Sequence, residues 1–254
     1  ANADVYQTVS HLDICLAPAY PLTATKTAAG SYQRDITWTL DKTVDVDSHT
    51  GYAGDTFDSI WSVVATKTDS GPMNYVVSGT ISIYNPAAIA QTFTVSDVLN
   101  DAAATVATVS CPSYTVAPLD TVNCTYNASP ADATATLNTV TVAALGNPAQ
   151  TDDDPIEWTE NLTGYDEGTL SDARFDYSAL ISGTTTQTFP ETFTCSTNPG
   201  DYDITGTYTA TVTNTANLND NIDLTASEDV TVTCYLQPLV PTKTAAGTWD
   251  RTVD

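Results

Sequence analysis

The chain has 254 residues, of which 7 are Lys or Arg and 31 are Asp or Glu, for a formal net charge of −24. A balance this acidic lacks the clustered basic residues with which nucleic-acid binders displace counterions, and an anionic membrane surface would repel it. The length suffices for two ordinary domains, and a 41% hydrophobic fraction accompanied by abundant Thr, Val, Tyr and Trp argues against disorder.

No run approaches the roughly 20 apolar residues that span a bilayer as a helix. No basic segment followed by an apolar one marks a signal peptide. The chain opens at Ala1 and its only methionine is Met73, so we expect either a removed leader or a piece of a longer protein.

In chain order, residues 1–21 hold one alternating stretch, DVYQTVSHLDICLAPAYP, which reaches Cys15 shortly before a proline. TKTAAGSYQR follows and leads into ITWTLDKTV, with Ile36, Trp38 and Leu40 on one face. Trp61, Val63 and Ala65 alternate in WSVVATKT, and Val77, Gly79, Ile81 and Ile83 alternate in VSGTISIY. Val140, Val142 and Ala144 repeat the pattern in NTVTVAA. The turn-rich GNPAQTDDDP (146–155) reads as a linker. Beyond it, IEWT at Ile156 resembles the earlier ITWT at Ile36, and alternation resumes through Phe175, Tyr177, Phe189, Phe193, Val230, Val232 and Cys234. Two strands, ISIYNPAAI around Asn85 and ATVTNTANL around Asn214, share a pattern that reads as a strand ending at a polar turn.

Period-2 runs broken by Gly, Pro, Asn and Asp clusters indicate half-buried antiparallel strands. The expected class is all-β, built as sandwiches at 22–150 and 151–240. Near the end stands TKTAAGTWDR, with Lys243 lying 217 residues (243 − 26) after Lys26. The reading is one full repeat with overhangs: 1–21 is the last strand of a preceding unit or a donor strand, and 241–254 is the first strand of a following unit.

The stretches TKTAAGSYQRDITWTLDKTVD (25–45), VSGTISIYNPAAIAQTFTVSDVL (77–99) and GTYTATVTNTANL (206–218) resemble the Ig-like conserved-repeat domains of large bacterial surface proteins. The resemblance covers most of residues 22–240. It implies two tandem Ig-like antiparallel β-sandwiches in a secreted, multidomain, non-catalytic protein of the cell surface or extracellular matrix.

Cys111 and Cys124 bracket PSYTVAPLDTVN, so a hairpin turning near Ala117 places them opposite each other, with a disulfide worth about 3 kcal/mol. Cys195 and Cys234 follow apolar alternation and are expected to pair across a longer loop, worth roughly 4 kcal/mol. Buried reduced thiols are the bland alternative. Cys15 is the odd one, unpaired or intermolecular. Disulfides would place the chain in an oxidising, extracellular setting.

No catalytic residue is expected: His11 and His49 are the only histidines, and neither sits in a nucleophile signature. No cofactor is required on this reading, but the acidic loops offer oxygen ligands for calcium. The candidates are Asp152, Asp153 and Asp154 in the expected linker, and Asn219, Asp220 and Asp223 in NLNDNID; DVDSHTG and GYDEG are weaker. Some bacterial surface Ig-like domains form Lys–Asn isopeptide bonds, so the resemblance raises Lys42 and Asn138 as such a pair, with a surface lysine as the preferred reading. Sequons occur at Asn123, Asn127 and Asn161.

The expected function is a structural repeat unit or subunit of an extracellular filament, stalk or cell-surface coat. Its partners would be copies of itself or adjoining units, joined by strand complementation. The alternative is an adhesin module that binds a glycan or protein through loops such as GYAG (51–54) and NPGDYD (198–203).

Overall fold

The computed structural model describes residues 20–237 and 242–253. In chain order the strands are β1 (Thr23–Lys26), β2 (Ala29–Val44), β3 (Ser48–Tyr52), β4 (Thr56–Asp69), β5 (Met73–Tyr84) and β6 (Gln91–Leu99). The short β7 (Thr108–Ser110) and β8 (Thr115–Val116) precede β9 (Thr121–Ala128), β10 (Leu137–Ala144), β11 (Gln150–Pro155) and β12 (Trp158–Thr163). Then come β13 (Gly168–Asp172), β14 (Tyr177–Ile181), β15 (Thr185–Thr194), β16 (Thr207–Leu218) and β17 (Leu224–Tyr235). Helix is confined to single 3-10 turns at Ala173–Phe175 and Pro199–Asp201 among the described residues. The chain is all-β. No described helix is long and apolar enough to cross a membrane.

The chain divides into two compact units, but not at the expected place. Among the described residues, unit 1 comprises 20–35 and 70–163, and unit 2 comprises 36–69, 164–237 and 242–253. The boundary at 150/151 is therefore corrected: the segment 36–69 belongs with the later residues, and 151–163 with the earlier ones. Strand β2 contributes its first half to unit 1 and its second half to unit 2.

In unit 1 one sheet runs β7–β9–β5, with β1 and the first half of β2 along the other edge of β5. Strand β12 adds to β2 in parallel. The second sheet has the order β11–β10–β6–β8. Side chains from both sheets meet in one core that includes Ile81, Ile83, Phe93, Leu99, Val140 and Val142. In unit 2 the second half of β2 pairs with β4, and β4 with β15. Its second sheet is β14–β13–β16–β17–β3, with β3 parallel to β17. Trp61, Val63, Leu170, Leu218, Val230 and Val232 fill the space between these sheets. Each inward row follows from the period of two along a strand, which hides every second residue.

The segment read as a linker is a strand. GNPAQTDDDP supplies β11, which pairs with β10 from Leu137↔Pro155 to Val142↔Gln150, after a turn in which Gly146 has φ +81°. The two tryptophan openings also change places. Ile156 and Trp158 pack on the unit 1 core, and Ile36 and Trp38 on that of unit 2. Each indole N–H donates to a backbone carbonyl, Trp158 to Ala135 and Trp38 to Tyr165, both at 2.8 Å. Alternation identified the strands correctly; it carries no information about which sheet they join.

Cys111 bonds to Cys124 and Cys195 to Cys234, with Cα separations of 4.2 and 5.7 Å. The first pair links neighbours within a sheet, one step beyond the Ser110↔Thr125 pair of β7 and β9. The intervening residues do not make a tight hairpin, because β8 leaves to pair with β6 in the opposite sheet. The second pair crosses between sheets, from the end of β15 to β17, and both sulfurs lie fully inside. Cys15 and the expected strand in 1–16 lie outside the described residues. Residues 242–253 are exposed and join no strand.

Removing the Cys195–Cys234 bond by double substitution to Ala should lower the unfolding free energy of unit 2 by roughly 4 kcal/mol, and removing Cys111–Cys124 should cost unit 1 about 3 kcal/mol. Denaturant titrations of the two variants check this. Equal and small losses would contradict the loop-closure account.

Candidate functional site

A lysine, an aspartate and an asparagine converge in the interior of each unit. In unit 1, Lys26 ends β1 with its side chain wholly inside, and its Nζ sits 3.4 Å from Asp97 Oδ2 on β6 of the facing sheet. Asn138, on β10, is fully buried beside them. In unit 2, Lys42 on β2 places Nζ 2.6 Å from Asp172 Oδ2 on β13. Asn214 on β16 donates Nδ2–H to the same oxygen at 3.1 Å. All three are buried, at 3%, 1% and 2% exposure.

The two clusters have the same cross-strand geometry. Asp97 lies opposite Val140, and Asn138 is two residues before Val140. Asp172 lies opposite Ala216, and Asn214 is two residues before Ala216. Carboxylate and carboxamide are therefore diagonal neighbours on one face of an antiparallel pair, a relation that brings side chains within reach. The lysine arrives from the facing sheet in both cases. An aromatic ring lies against each amine, Tyr126 at 4.4 Å and Trp61 at 5.5 Å from ring centroid to Nζ.

The polar neighbours of Lys26 are built into the sandwich. Its Nζ–H donates to the Tyr126 hydroxyl at 3.2 Å, which in turn donates to the Thr27 carbonyl at 2.7 Å. Gly79, opposite Tyr126 in register, makes room: a Cβ there would lie 2.0 Å from the Thr27 oxygen. Burial pushes the Lys26 pKa below the ordinary lysine value, against the pull of Asp97 and, less strongly, of Asp154 and Asp152. Burial likewise pushes the Asp97 carboxyl up, against Lys26 and Asn138. The Tyr126 phenol is pushed up to about 12, again chiefly by burial. Asn138 lies near enough to favour the ionised Asp97, yet it completes no hydrogen bond: both polar atoms of Asn138 and both carboxylate oxygens of Asp97 lack a hydrogen-bond partner among the described residues.

That condition is unusual for buried polar groups, which are nearly always paired. Asn85 provides the contrast. It too is fully buried, but its Nδ2 donates to the carbonyls of Ile89, Val116 and Ala117, and its Oδ1 accepts from Ala87 N–H and Gln91 Nε2–H. The sequence analogy between Asn85 and Asn214 thus fails. The first ties loops together, whereas the second lies inside β16 and faces a carboxylate.

In unit 2 the cluster extends outward. Asp172 Oδ1 accepts from Arg174 N–H at 3.1 Å. Arg174 forms a forked pair with Glu191, its Nε–H donating to Oε2 at 2.9 Å, and Trp61 Nε1–H donates to the same oxygen at 2.8 Å. The Arg174 guanidinium holds the Glu191 carboxyl below its usual range, with Trp61 assisting and burial opposing.

The sequence-derived sites resolve differently. Lys42 is not a surface lysine, and Asn138 is not its partner, since the two belong to different units. Asp152 and Asp154 face inward from β11 and accept β1-side backbone N–H groups, Lys26 N–H at 2.8 Å and Ala28 N–H at 2.6 Å, while Asp153 points outward. Asn219, Asp220 and Asp223 form the turn between β16 and β17, where Asp220 and Asp223 have φ of 67° and 53°. Asp tolerates that left-handed region better than most residues. Among the described residues no group of three or more His, Cys, Asp or Glu gathers as metal ligands.

His49 is buried, with Nε2 2.7 Å from Ser59 Oγ. The Ser59 hydroxyl donates to the Val46 carbonyl, so its proton is engaged away from the imidazole. His11 lies outside the described residues. Of the loop aromatics, Tyr52 is exposed, but Tyr202 is buried with its hydroxyl donating to Ser196 O, so NPGDYD does not present that ring. The sequon residues Asn123, Asn127 and Asn161 are exposed.

One feature of the sequence could have found the clusters. Lys42 continues the Ile36, Trp38, Leu40 row; Asn138 continues the Val140, Val142 row; Asn214, Asp97 and Asp172 likewise fall on inward rows. Each is the polar member of an apolar face.

Two outcomes follow from these contacts. Asp154→Ala should destabilise unit 1 by about 1–3 kcal/mol through an unpaired strand N–H, while a chelator should leave the melting midpoint unchanged; a midpoint lowered by chelation would return calcium to Asp152 and Asp154. The depressed Glu191 pKa means stability is present above the unfolded carboxyl value and lost as pH falls through the folded one. Glu191→Gln should therefore flatten the acid limb of the unit 2 unfolding curve, and an unaltered limb would contradict the assignment.

Comparison with protein-family models gives no match, and comparison with curated proteins gives none either.

Proposed function

We propose that the chain is a structural repeat unit or subunit of an extracellular filament, stalk or cell-surface coat, with Ig-like sandwiches linked head to tail through terminal β-strands. The observation that carries this reading is one phrase in two environments. At residues 25–30 TKTAAG is built into β1 and β2, and Lys26 reaches the buried cluster. At 242–247 the same six residues lie exposed outside any strand, and Trp249 of the same segment is 84% exposed. A segment with the sequence of a core strand and no sheet of its own fits pairing with another unit. On this reading Lys243 occupies in the following unit the place that Lys26 occupies in unit 1.

Other features support an extracellular structural role. The two disulfides suit an oxidising compartment. The strong negative charge favours solubility of a crowded surface array. Sandwiches repeated along a chain give length that scales with copy number.

Electron microscopy of the native material tests the reading. Rows of particles with an axial repeat of two sandwiches are expected, and dispersed two-sandwich particles would overturn it. Specific retention on a glycan array would favour the adhesin instead.

A further inference from the structure

We propose that the end of unit 1 where the chain enters it, and the end of unit 2 where the chain leaves it, are the two halves of an apolar joint between successive copies of this chain. The inference rests on the head-to-tail reading and names the surfaces that meet in it.

The first observation is where unit 1 exposes its apolar side chains. Thr23 of β1 and Thr121 of β9 both pair with Tyr84 at the end of β5, and Phe93 of β6 pairs with Ala144 at the end of β10. The loops 85–90, 117–120 and 145–149 therefore lie together at the entry end. Tyr84, Ile89, Tyr114, Leu119 and Leu145 sit in these loops or beside them, and all five are exposed. An exposed apolar patch on a domain marks a contact surface. Although the chain has a net charge of −24, the segments 84–91, 113–120 and 144–150 hold a single charged residue, Asp120. Its Oδ1 accepts the Thr121 N–H. A second copy approaching here meets little of the repulsion that the net charge imposes elsewhere.

The entry-end loops are held as a platform. Asn85 binds the carbonyls of Ile89, Val116 and Ala117 through Nδ2–H. Gln91 Nε2–H donates to Asn85 Oδ1 at 2.7 Å and to the Tyr20 carbonyl at 2.9 Å, and Gln91 Oε1 accepts from Asn147 Nδ2–H at 2.8 Å. One network thus fixes three loops and the incoming chain, which lowers the ordering cost of a contact made there.

The second observation is the exit end of unit 2. Tyr235 ends β17 opposite Thr207 of β16 and Tyr52 of β3, and Thr56 of β4 pairs with Thr194 of β15, so the loops 53–55 and 195–206 gather around the departing chain. Tyr52, Ile204 and Tyr235 are exposed there, with the two tyrosine rings 6.4 Å apart. The carboxylates at this end, Asp55, Asp201 and Asp203, each accept hydrogen bonds from their own loop.

The third observation is the length of chain between the two ends. Leu236 is still tied to unit 2, its N–H donating to the Gly206 carbonyl at 2.9 Å. In the 217-residue period the counterpart of Leu239 is Leu22 (239 − 217), which is buried in the unit 1 core. Only Gln237 and Pro238 separate the last anchored residue of one copy from the first core residue of the next. Three residue steps span at most about 11 Å. A leash this short keeps the two ends against each other at high effective concentration. Ile204 and the two tyrosines of one copy then cover Ile89, Leu119 and Leu145 of the next, and both sets lose water.

Hydroxyl-radical footprinting of the native assembled protein, compared with the isolated full chain, tests the joint. Oxidation of Ile89, Leu119, Leu145, Ile204 and Tyr235 should fall severalfold on assembly. Val106 and Leu180, exposed at the far ends of their units, should keep their rates. Unchanged rates at the joint in material that does form rows would overturn the joint and leave the fibre reading standing, whereas dispersed particles overturn both. Protection of one end alone, or uniform protection that includes Val106 and Leu180, also overturns it, because each points to a different partner. Leu145→Glu should leave the melting midpoint of the isolated chain unchanged. In rows of that variant Ile204 should return to its free-chain rate, and loss of rows by the folded variant supports the joint equally; rows that keep Ile204 protected would refute the pairing. The wild-type footprint decides by itself if the variant does not fold.

Discussion

The cost of taking a lysine ammonium out of water governs the interior of both units. A buried charge must be matched by opposite charge and hydrogen bonds, or else be neutralised. Lys26 and Lys42 meet this demand in the same way, each facing an aspartate across the sandwich with an aromatic ring alongside. Much local detail in unit 1 serves that meeting. Gly79 admits the Thr27 carbonyl, Tyr126 bridges Lys26 to it, and Asp152 and Asp154 secure β1 by its backbone. In unit 2 the corresponding support is Trp61 and the Arg174–Glu191 pair.

The acidity of the chain acquires a local meaning as well. The TDDDP segment resembles a metal-binding loop when read as a linker. Folded as β11, its alternate carboxylates become acceptors for strand N–H groups, and the outward one is solvated. The aspartates at 220 and 223 serve backbone geometry. In both places the carboxylate satisfies or shapes the main chain.

Period-2 alternation determined the all-β class, the strands and their buried faces, because sterics and burial along a strand are local properties. It also placed Lys42 beside Trp38 and Asn138 beside Val140, so the polar residues on apolar rows could be read from parity. Pairing partners were decided only in three dimensions. β2 divides between units, ITWT and IEWT exchange cores, and Lys42 faces Asp172 and Asn214 instead of Asn138. The physical reason is that a strand's backbone offers the same donors and acceptors to any neighbour. Which sheet it enters, and hence which side chains meet across the core, is set by the packing of the whole chain.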